Sequence, residues 1–222
     1  SNGVRAVLQE LQPEIEAAAG RRLAFDFSTS RTLTDRIAAG EPVDVAILTP
    51  TLIDELIASQ RVDPGSRAVF AQVGVGVGGR AGVTPKSVRT LEDLRQTLLE
   101  AESVAYGASG QSRRTNEATF ETLGISEAMR GKSRLTGPGE GPVRVAEGEV
   151  ELVLTLVSEL LREPGVQFLG PLPPEVQGYI QFAAAVGATA RDPVAGRALI
   201  DFLFSPRFVA AMGAHGLAPL DR

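Results

Sequence analysis

The sequence lacks the residues on which most metal- and thiol-dependent chemistry relies. Its 222 residues include no cysteine, no tryptophan and one histidine, His215. Disulfides, thiolate metal sites, cysteine nucleophiles and multi-histidine metal sites are therefore excluded. No apolar run approaches the roughly 18 to 20 residues that span a bilayer, and no signal-peptide pattern is present. We expect neither a metal site nor a cofactor.

Positive charge is also scarce. Lys and Arg number 22 against 27 Asp and Glu, which gives a net charge of −5. A general nucleic-acid binder needs a basic face to neutralise phosphates, so nucleic acid is not an expected partner. An acidic chain can still bind an anion through local groups such as backbone N–H, hydroxyls and a few arginines. The hydrophobic content of 43% is enough for one large domain or two small lobes.

Helical and strand patterns alternate along the chain, which predicts an α/β protein. The helical segments are 4–19 (kinked at Pro13 and ending at Gly20), 31–39, 50–59, 91–102, 113–123, 158–161, 192–204 and 206–214. The strand segments are 23–27, 43–48, 69–77, 103–106, 150–157, 166–169 and 179–186. We expect each sheet to be mostly parallel.

Two crossings marked by glycine or proline, near 75–80 and 171–180, suggest that the chain leaves one lobe and later returns. The predicted lobes are 1–77 with 180–222, and 78–179, with a ligand cleft between them. The glycines of Val73–Gly79 fit the first crossing better than a dinucleotide fingerprint, because no helix clearly follows them.

Several strands end in small or hydroxyl residues that lead into the next helix. The first N–H groups of a helix lack intrahelical partners and carry partial positive charge, so ligand oxygens can bind there. In open α/β sheets, ligands lie beyond the carboxyl ends of the strands. The alternative is that each residue is an ordinary helix cap. The candidate ligand-binding residues of this kind are Ser28, Ser30, Thr49, Gly110, Gln111 and Ser112, with Ser1 and Asn2 if a strand precedes them.

Charged residues near these loops are a second group of candidates. Arg113 opens the helix after the second-lobe loop, and Arg144 follows a Gly/Pro-rich connection over 134–143. Arginine suits carboxylate ligands, although both residues could equally be solvated surface cations. Ser158, the last candidate ligand-binding residue, and Glu159 lie at a strand-to-helix junction, and among the carboxylates Glu159 is the best candidate to face the cleft.

With these loops placed, the chain resembles the periplasmic molybdate-binding proteins of ABC importers, which are two-lobed type II solute-binding proteins. The stretches that carry the resemblance run from Phe27-Ser28-Thr29-Ser30 to Val43-Asp44-Val45-Ala46, and over Ala198–Pro206 and Gly216–Pro219. By resemblance, Ser1 with Asn2, and Ser30, match the two serines that hold the oxyanion. Gly110–Ser112 and Val143-Arg144 match the amide donors of the second lobe.

The resemblance departs at 154–159, where the family has a tyrosine and this chain has none. Ser158-Glu159-Leu160-Leu161 is similar to a divergent subgroup that includes an aconitate isomerase. The resemblance implies a periplasmic or extracytoplasmic monomer that captures an oxyanion or a small carboxylate for an ABC-transporter permease. The alternative is an isomerase that acts on a small tricarboxylate, with Glu159 as its general base.

Overall fold

The computed structural model describes residues 1–221. Within them, the α-helices are α1 Arg5–Glu10, α2 Gln12–Ala19, α3 Ser30–Ala38, α4 Pro50–Ala58, α5 Leu91–Glu100, α6 Gln111–Thr122, α7 Ser126–Lys132, α8 Glu140–Ala146, α9 Val157–Leu160, α10 Pro193–Phe202 and α11 Pro206–Met212. The strands are β1 Val45–Leu48, β2 Ala68–Arg80, β3 Val104–Gly107, β4 Ser133–Thr136, β5 Leu152–Leu156, β6 Val166–Pro171, β7 Tyr179–Val186 and β8 Leu217–Pro219. The predicted α/β class is confirmed. None of the described helices has the length and apolarity needed to cross a membrane.

The chain forms two compact units. Unit 1 consists of Ser1–Gln72 and Gln181–Arg222, and unit 2 is Val73–Ile180. The chain therefore passes from one unit to the other inside β2 and returns inside β7.

Unit 1 packs α3 and α4 against β1. Ile37, Leu48 and Ile53 lie in one buried cluster that links these elements. The predicted break in the first helix is confirmed, because α1 and α2 separate at Leu11 and Pro13 lies in the first turn of α2. Pro is tolerated there since that N–H has no intrahelical partner. Gly20 ends α2 in the left-handed conformation, with φ 63°.

The sheet pairing is mixed, which corrects the expectation of mostly parallel sheets. Parallel pairs join β3 to β4 and β3 to β5. In unit 2, β2 runs antiparallel to both β5 and β6, and in unit 1, β1 runs antiparallel to β7. Thus β2 runs opposite to β5 and β6, and β7 runs opposite to β1, whereas parallel pairing is kept among β3, β4 and β5.

The strand predicted at Leu23–Phe27 is not formed. Its side chains keep the alternation of a strand, with Phe25 and Phe27 half-buried and Asp26 exposed. However, a strand needs a hydrogen-bonded neighbour. The backbone N–H and carbonyl of Leu23 are instead hydrogen-bonded to side chains of α2. Its N–H donates to Glu16 Oε1 (2.9 Å) and its carbonyl accepts from Gln12 Nε2 (3.1 Å).

The Gly/Pro-rich connection predicted at 134–143 contains two regular elements, β4 and α8. Gly137 and Gly139 lie between them, and Gly139 adopts φ 76°. Pro142 falls in the first turn of α8, where its missing N–H costs no helical hydrogen bond. Glu140 stabilises this turn by accepting a hydrogen bond from the N–H of Gly137 (2.9 Å).

The glycines of β2 allow α9 to pack directly on the strand. A Cβ at Gly76 would lie 3.1 Å from Val157, and one at Gly78 would lie 2.7 Å from Leu160. Both helix residues belong to α9, so this close packing sets the position of Ser158 and Glu159 between them. The interpretation of Val73–Gly79 as a strand rather than a nucleotide-binding loop is confirmed.

Candidate functional site

Four of the residues predicted to bind ligand lie together in unit 1. The hydroxyl of Ser30 donates to the hydroxyl of Ser1 over 3.1 Å. The N–H of Asn2 donates to the carbonyl of Ser28 over 3.0 Å. Residues from two loops far apart in sequence therefore present adjacent hydroxyls and an amide side chain.

Local capping explains why Ser30 is available. Thr29, not Ser30, is the N-cap of α3, and its Oγ1 accepts from the N–H of Thr32 (3.1 Å). Ser30 is the first residue of the helix, so its hydroxyl is not needed as a cap. N–H groups in the first turn of a helix that lack a capping partner can donate to an anion.

The end of β1 adjoins the same loops. The backbone nitrogen of Ser1 donates to the carbonyl of Ile47 (3.1 Å). Thr49 follows as the N-cap of α4; it is buried, and its side chain makes no capping hydrogen bond. Thr49, a fifth predicted residue, thus lies two positions after Ile47, whose carbonyl contacts this cluster.

In unit 2, Gly110 to Arg113 form the start of α6. Gly110 is the N-cap, with φ 95° and no side chain to satisfy the first N–H groups. Arg113 turns back and donates to the carbonyl of Ala108, while its Nε donates to Glu117 Oε1 (2.8 Å). Gln111 is exposed and Ser112 half-buried. The guanidinium of Arg113 thus braces the loop and is neutralised by a carboxylate of its own helix.

Arg144 lies apart from this loop, on α8. Its guanidinium is 3.5 Å from the carboxylate of Glu140 one turn earlier. It lines a surface cavity of about 360 Å³ that also contains Glu147 and Glu149. Three carboxylates against one guanidinium make this cavity unfavourable for an anion. In residues 1–221, no cluster of three or more His, Asp and Glu side chains has the geometry to hold a metal ion.

Ser158 and Glu159 lie on α9, next to the end of β5. Thr155 donates to Glu159 Oε2 over 2.5 Å, and Ser158 is buried with no hydrogen-bond partner for its hydroxyl among the described residues. Burial raises the pKa of the Glu159 carboxyl group, although the Thr155 hydrogen bond and the charge of Arg162 act in the opposite direction. A carboxyl group of raised pKa can hold or transfer a proton closer to neutral pH.

Asn116 is a buried polar residue that the sequence analysis did not identify. It is fully buried on α6, and its Nδ2 donates to the carbonyl of Leu154 in β5 (3.0 Å). Its Oδ1 has no partner among the described residues. A signal existed, because Asn116 is spaced three, four and seven residues before Thr119, Phe120 and Leu123, on the buried stripe of the helix.

The sequence model of one protein family, described as bacterial extracellular solute-binding protein, matches residues 1–218. Among curated proteins, an aconitate isomerase from a Pseudomonas species is 28% identical over 225 residues, covering 99% of this chain and 86% of that protein.

Among solved structures, the Azotobacter vinelandii periplasmic molybdate-binding protein is 15% identical with a TM-score of 0.82, covering 100% of this chain and 97% of that chain. The sulfate-binding protein of Mycobacterium tuberculosis is 19% identical with a TM-score of 0.75, covering 97% and 83%. At such identities the likeness concerns the fold, and it confirms the expected type II periplasmic-binding-protein fold.

Proposed function

Because this chain belongs to the bacterial extracellular solute-binding protein family, we propose that it captures a small anion for an ABC importer outside the cytoplasm. The ligand is either an oxyanion such as molybdate or a small carboxylate. The molybdate- and sulfate-binding structural neighbours support the oxyanion, and the isomerase relative supports the carboxylate.

The convergence of Ser1, Asn2, Ser28 and Ser30 in unit 1 carries the proposal. Because Ser1 accepts the hydrogen bond from Ser30, its own O–H is left to donate to a ligand oxygen. The first N–H groups of α3 add partial positive charge beside it. In unit 2, the uncapped start of α6 offers the same chemistry at Gly110, Gln111 and Ser112.

The two arginines, Arg113 and Arg144, have a different role in the proposed site from the hydroxyls. Each is already paired with a glutamate on its own helix. Arg113 therefore shapes the loop that presents the α6 N–H groups, and direct contact between Arg144 and the ligand would require it to leave Glu140. Recognition then depends mainly on neutral donors, which distinguish ligands by geometry and hydrogen bonding.

The proposal is tested by thermal unfolding against molybdate, tungstate, sulfate, phosphate, citrate, malonate and both aconitates. A ligand at about 100 times its Kd should add about 2.7 kcal/mol to the free energy of unfolding, which is a shift of several degrees. Ser30→Ala should weaken the affinity about ten-fold, because Ser1 loses the hydrogen bond that directs its own O–H toward the charged ligand.

Ser59→Ala is the matched control. Ser59 lies in the same unit at the end of α4, and its hydroxyl bonds only to carbonyls of that helix. It should leave every ligand shift unchanged. The proposal fails if no anion stabilises the native protein, or if Ser30→Ala binds as well as the control.

A second function, isomerisation of a small unsaturated tricarboxylate, is favoured by the environment of Glu159. A partly buried carboxylate with a raised pKa is a stronger base than an exposed one. It would take a proton from a methylene carbon beside a carboxylate. The electron pair would move into the allylic system, and the proton would return to the carbon at its other end. Proton NMR of cis- and trans-aconitate with the protein decides this, and lack of interconversion excludes it.

A further inference from the structure

The side chain of Gln177 pairs with β2 as a neighbouring strand would. Its Oε1 accepts from the N–H of Val75 (2.8 Å), and its Nε2 donates to the carbonyl of the same residue (3.0 Å). Nε2 also approaches the carbonyl of Leu172 (3.3 Å). In an antiparallel ladder one residue exchanges both of these bonds with a single partner. Here one side-chain amide makes both bonds.

The amide lies where backbone pairing of β2 with β6 stops. The last register pair of those strands is Gly76 with Pro171, and the N–H of Leu172 still reaches the carbonyl of Val75 (3.0 Å). The chain then turns through 173–176 and returns at Gln177, whose amide completes the bonding of Val75. The absent side chain of Gly74 makes room, since a Cβ there would lie 3.1 Å from Gln177 Nε2.

Both partners lie close to the positions where the chain passes between the units. The first passage falls between Gln72 and Val73, and the second between Ile180 and Gln181. Val75 follows the first passage and Gln177 precedes the second. The amide thus ties the two crossing segments to each other within unit 2.

We propose that Gln177 is a positioning residue that clips the two crossing segments together at Val75 and so sets where they bend during ligand capture. Bending of β2 at Val75 would break two hydrogen bonds, so bending is displaced toward residues 72–74 and 180–181, where hinge residues can absorb the backbone change. The consequence for affinity depends on the proposed solute-binding function. The clip itself does not.

Hydrogen exchange of the Val75 amide tests the clip without any ligand. Gln177→Met keeps the length of the side chain but removes both bonds, so exchange of Val75 should accelerate about ten-fold. Gln96→Met is the matched control, because the Gln96 amide on α5 bonds to the exposed Glu100 carboxylate. The control should leave Val75 unchanged.

Gln177→Glu distinguishes the clip from simple space filling. A protonated carboxyl group has one donor and one acceptor, as the amide does, whereas an ionised carboxylate faces the Val75 carbonyl with a second acceptor. This variant should exchange as fast as Gln177→Met at pH 8, after correction for intrinsic exchange rates. Near pH 4 it should recover the protection of the native protein.

Single-molecule energy transfer then measures the motion of the units. The chain has no cysteine, so Ser59→Cys in unit 1 and Ala128→Cys in unit 2 can carry the two dyes alone. Gln177→Met should broaden the distance distribution without ligand and change the dissociation rate of any bound anion several-fold, with a melting temperature close to native.

Unchanged Val75 exchange in Gln177→Met, or the absence of recovery of Gln177→Glu at low pH, would overturn the clip. Faster Val75 exchange with an unchanged distance distribution would show that the amide stabilises unit 2 only, and would overturn its positioning role. If the clip behaves as expected and no anion binds, the solute-binding proposal fails by itself.

Discussion

At the scale of single residues, charged and neutral polar groups divide between two roles. The candidate cations Arg113 and Arg144 are each paired with a glutamate one turn away on their own helix. The hydroxyls of Ser1 and Ser30 instead bond to each other. The positive charge of a guanidinium that is paired with a carboxylate is already partly compensated. The neutral hydroxyl and amide groups are therefore better placed to recognise an anion.

Glu159→Gln should stabilise the protein at neutral pH. Burial raises the pKa of Glu159 in the folded state above its ordinary value of 4.5. Below that value Glu159 is protonated in both the folded and the unfolded state, so its ionisation does not lower the free energy of unfolding. As the pH rises through the folded pKa, the free energy of unfolding falls, because the unfolded state ionises first. Glutamine keeps a group that can bond to Thr155 and never ionises. Each unit of pKa difference is worth about 1.4 kcal/mol.

Thermal unfolding at pH 4 and pH 7 checks this prediction. Glu159→Gln should raise the melting temperature by a few degrees at pH 7 and by little at pH 4. Glu149→Gln, an exposed position in the same unit, should shift it at neither pH. An equal shift of Glu159→Gln at both pH values would show that ionisation is not the cause. If the protein isomerises aconitate, the same variant should lose that activity.

At the scale of secondary-structure elements, the sequence predicted best what local interactions determine. Pro13 and Gly20 bound α2 through backbone rules that act within a few residues. The segment 23–27 has the alternation of a strand but lacks a strand neighbour in the described chain, and alternation alone cannot supply one. The helix α8 was missed because Gly141 and Pro142, two residues with low helix propensity, occupy its first turn.

Like the secondary structure, the candidate site could be predicted only where short-range sequence features determine it. Small hydroxyl residues at the start of helical segments identify the loops, and in unit 1 two of these loops meet at Ser1 and Ser30. The pairing of Arg113 with Glu117 could also have been predicted, because it follows the i, i+4 spacing of a helix. The bond between Gln177 and Val75 spans 102 positions, and no local pattern indicates it.

Gly76→Ala and Gly79→Ala should differ in effect although they lie on the same strand. A Cβ at Gly76 would lie 2.8 Å from the ring of Phe168 and 3.0 Å from the carbonyl of Gly170. A Cβ at Gly79 would make ordinary contacts of 3.4 Å or more. We expect Gly76→Ala to lower the free energy of unfolding by about 1 to 3 kcal/mol, since the added methyl overpacks the core.

Urea denaturation measures both variants. Gly79→Ala should remain within about 1 kcal/mol of the native protein, because alanine also reduces the freedom of the unfolded chain. Because Gly76 also contacts Val157 at the start of α9, its variant should alter the near-ultraviolet or NMR signals around that helix. Equal stability of the two variants would mean that the close packing of α9 on β2 does not require glycine.

At the scale of the whole molecule, the net charge of −5 opposes the approach of an anion. Binding must therefore rely on short-range donors at the loops rather than on long-range attraction. The field of those donors falls off within the first turn of a helix, whereas the net charge acts over a Debye length of about 10 Å at 0.1 M salt. Added salt therefore screens mainly the long-range repulsion between the net negative charge of the protein and the anion.

The association rate of the anion identified by the ligand panel should consequently stay level or rise, up to about two-fold, as salt increases from 10 to 150 mM. A protein that attracts its ligand with a basic surface shows the opposite, a steep fall. Stopped-flow fluorescence with a dye on Ser59→Cys measures the rate.

Glu127→Lys, at a position with 89% side-chain exposure, changes the net charge from −5 to −3. It should accelerate association at low salt and have little effect at high salt. A steep fall with salt in the native protein would instead indicate that unpaired arginines steer the ligand, and that Arg113 or Arg144 leaves its glutamate on binding.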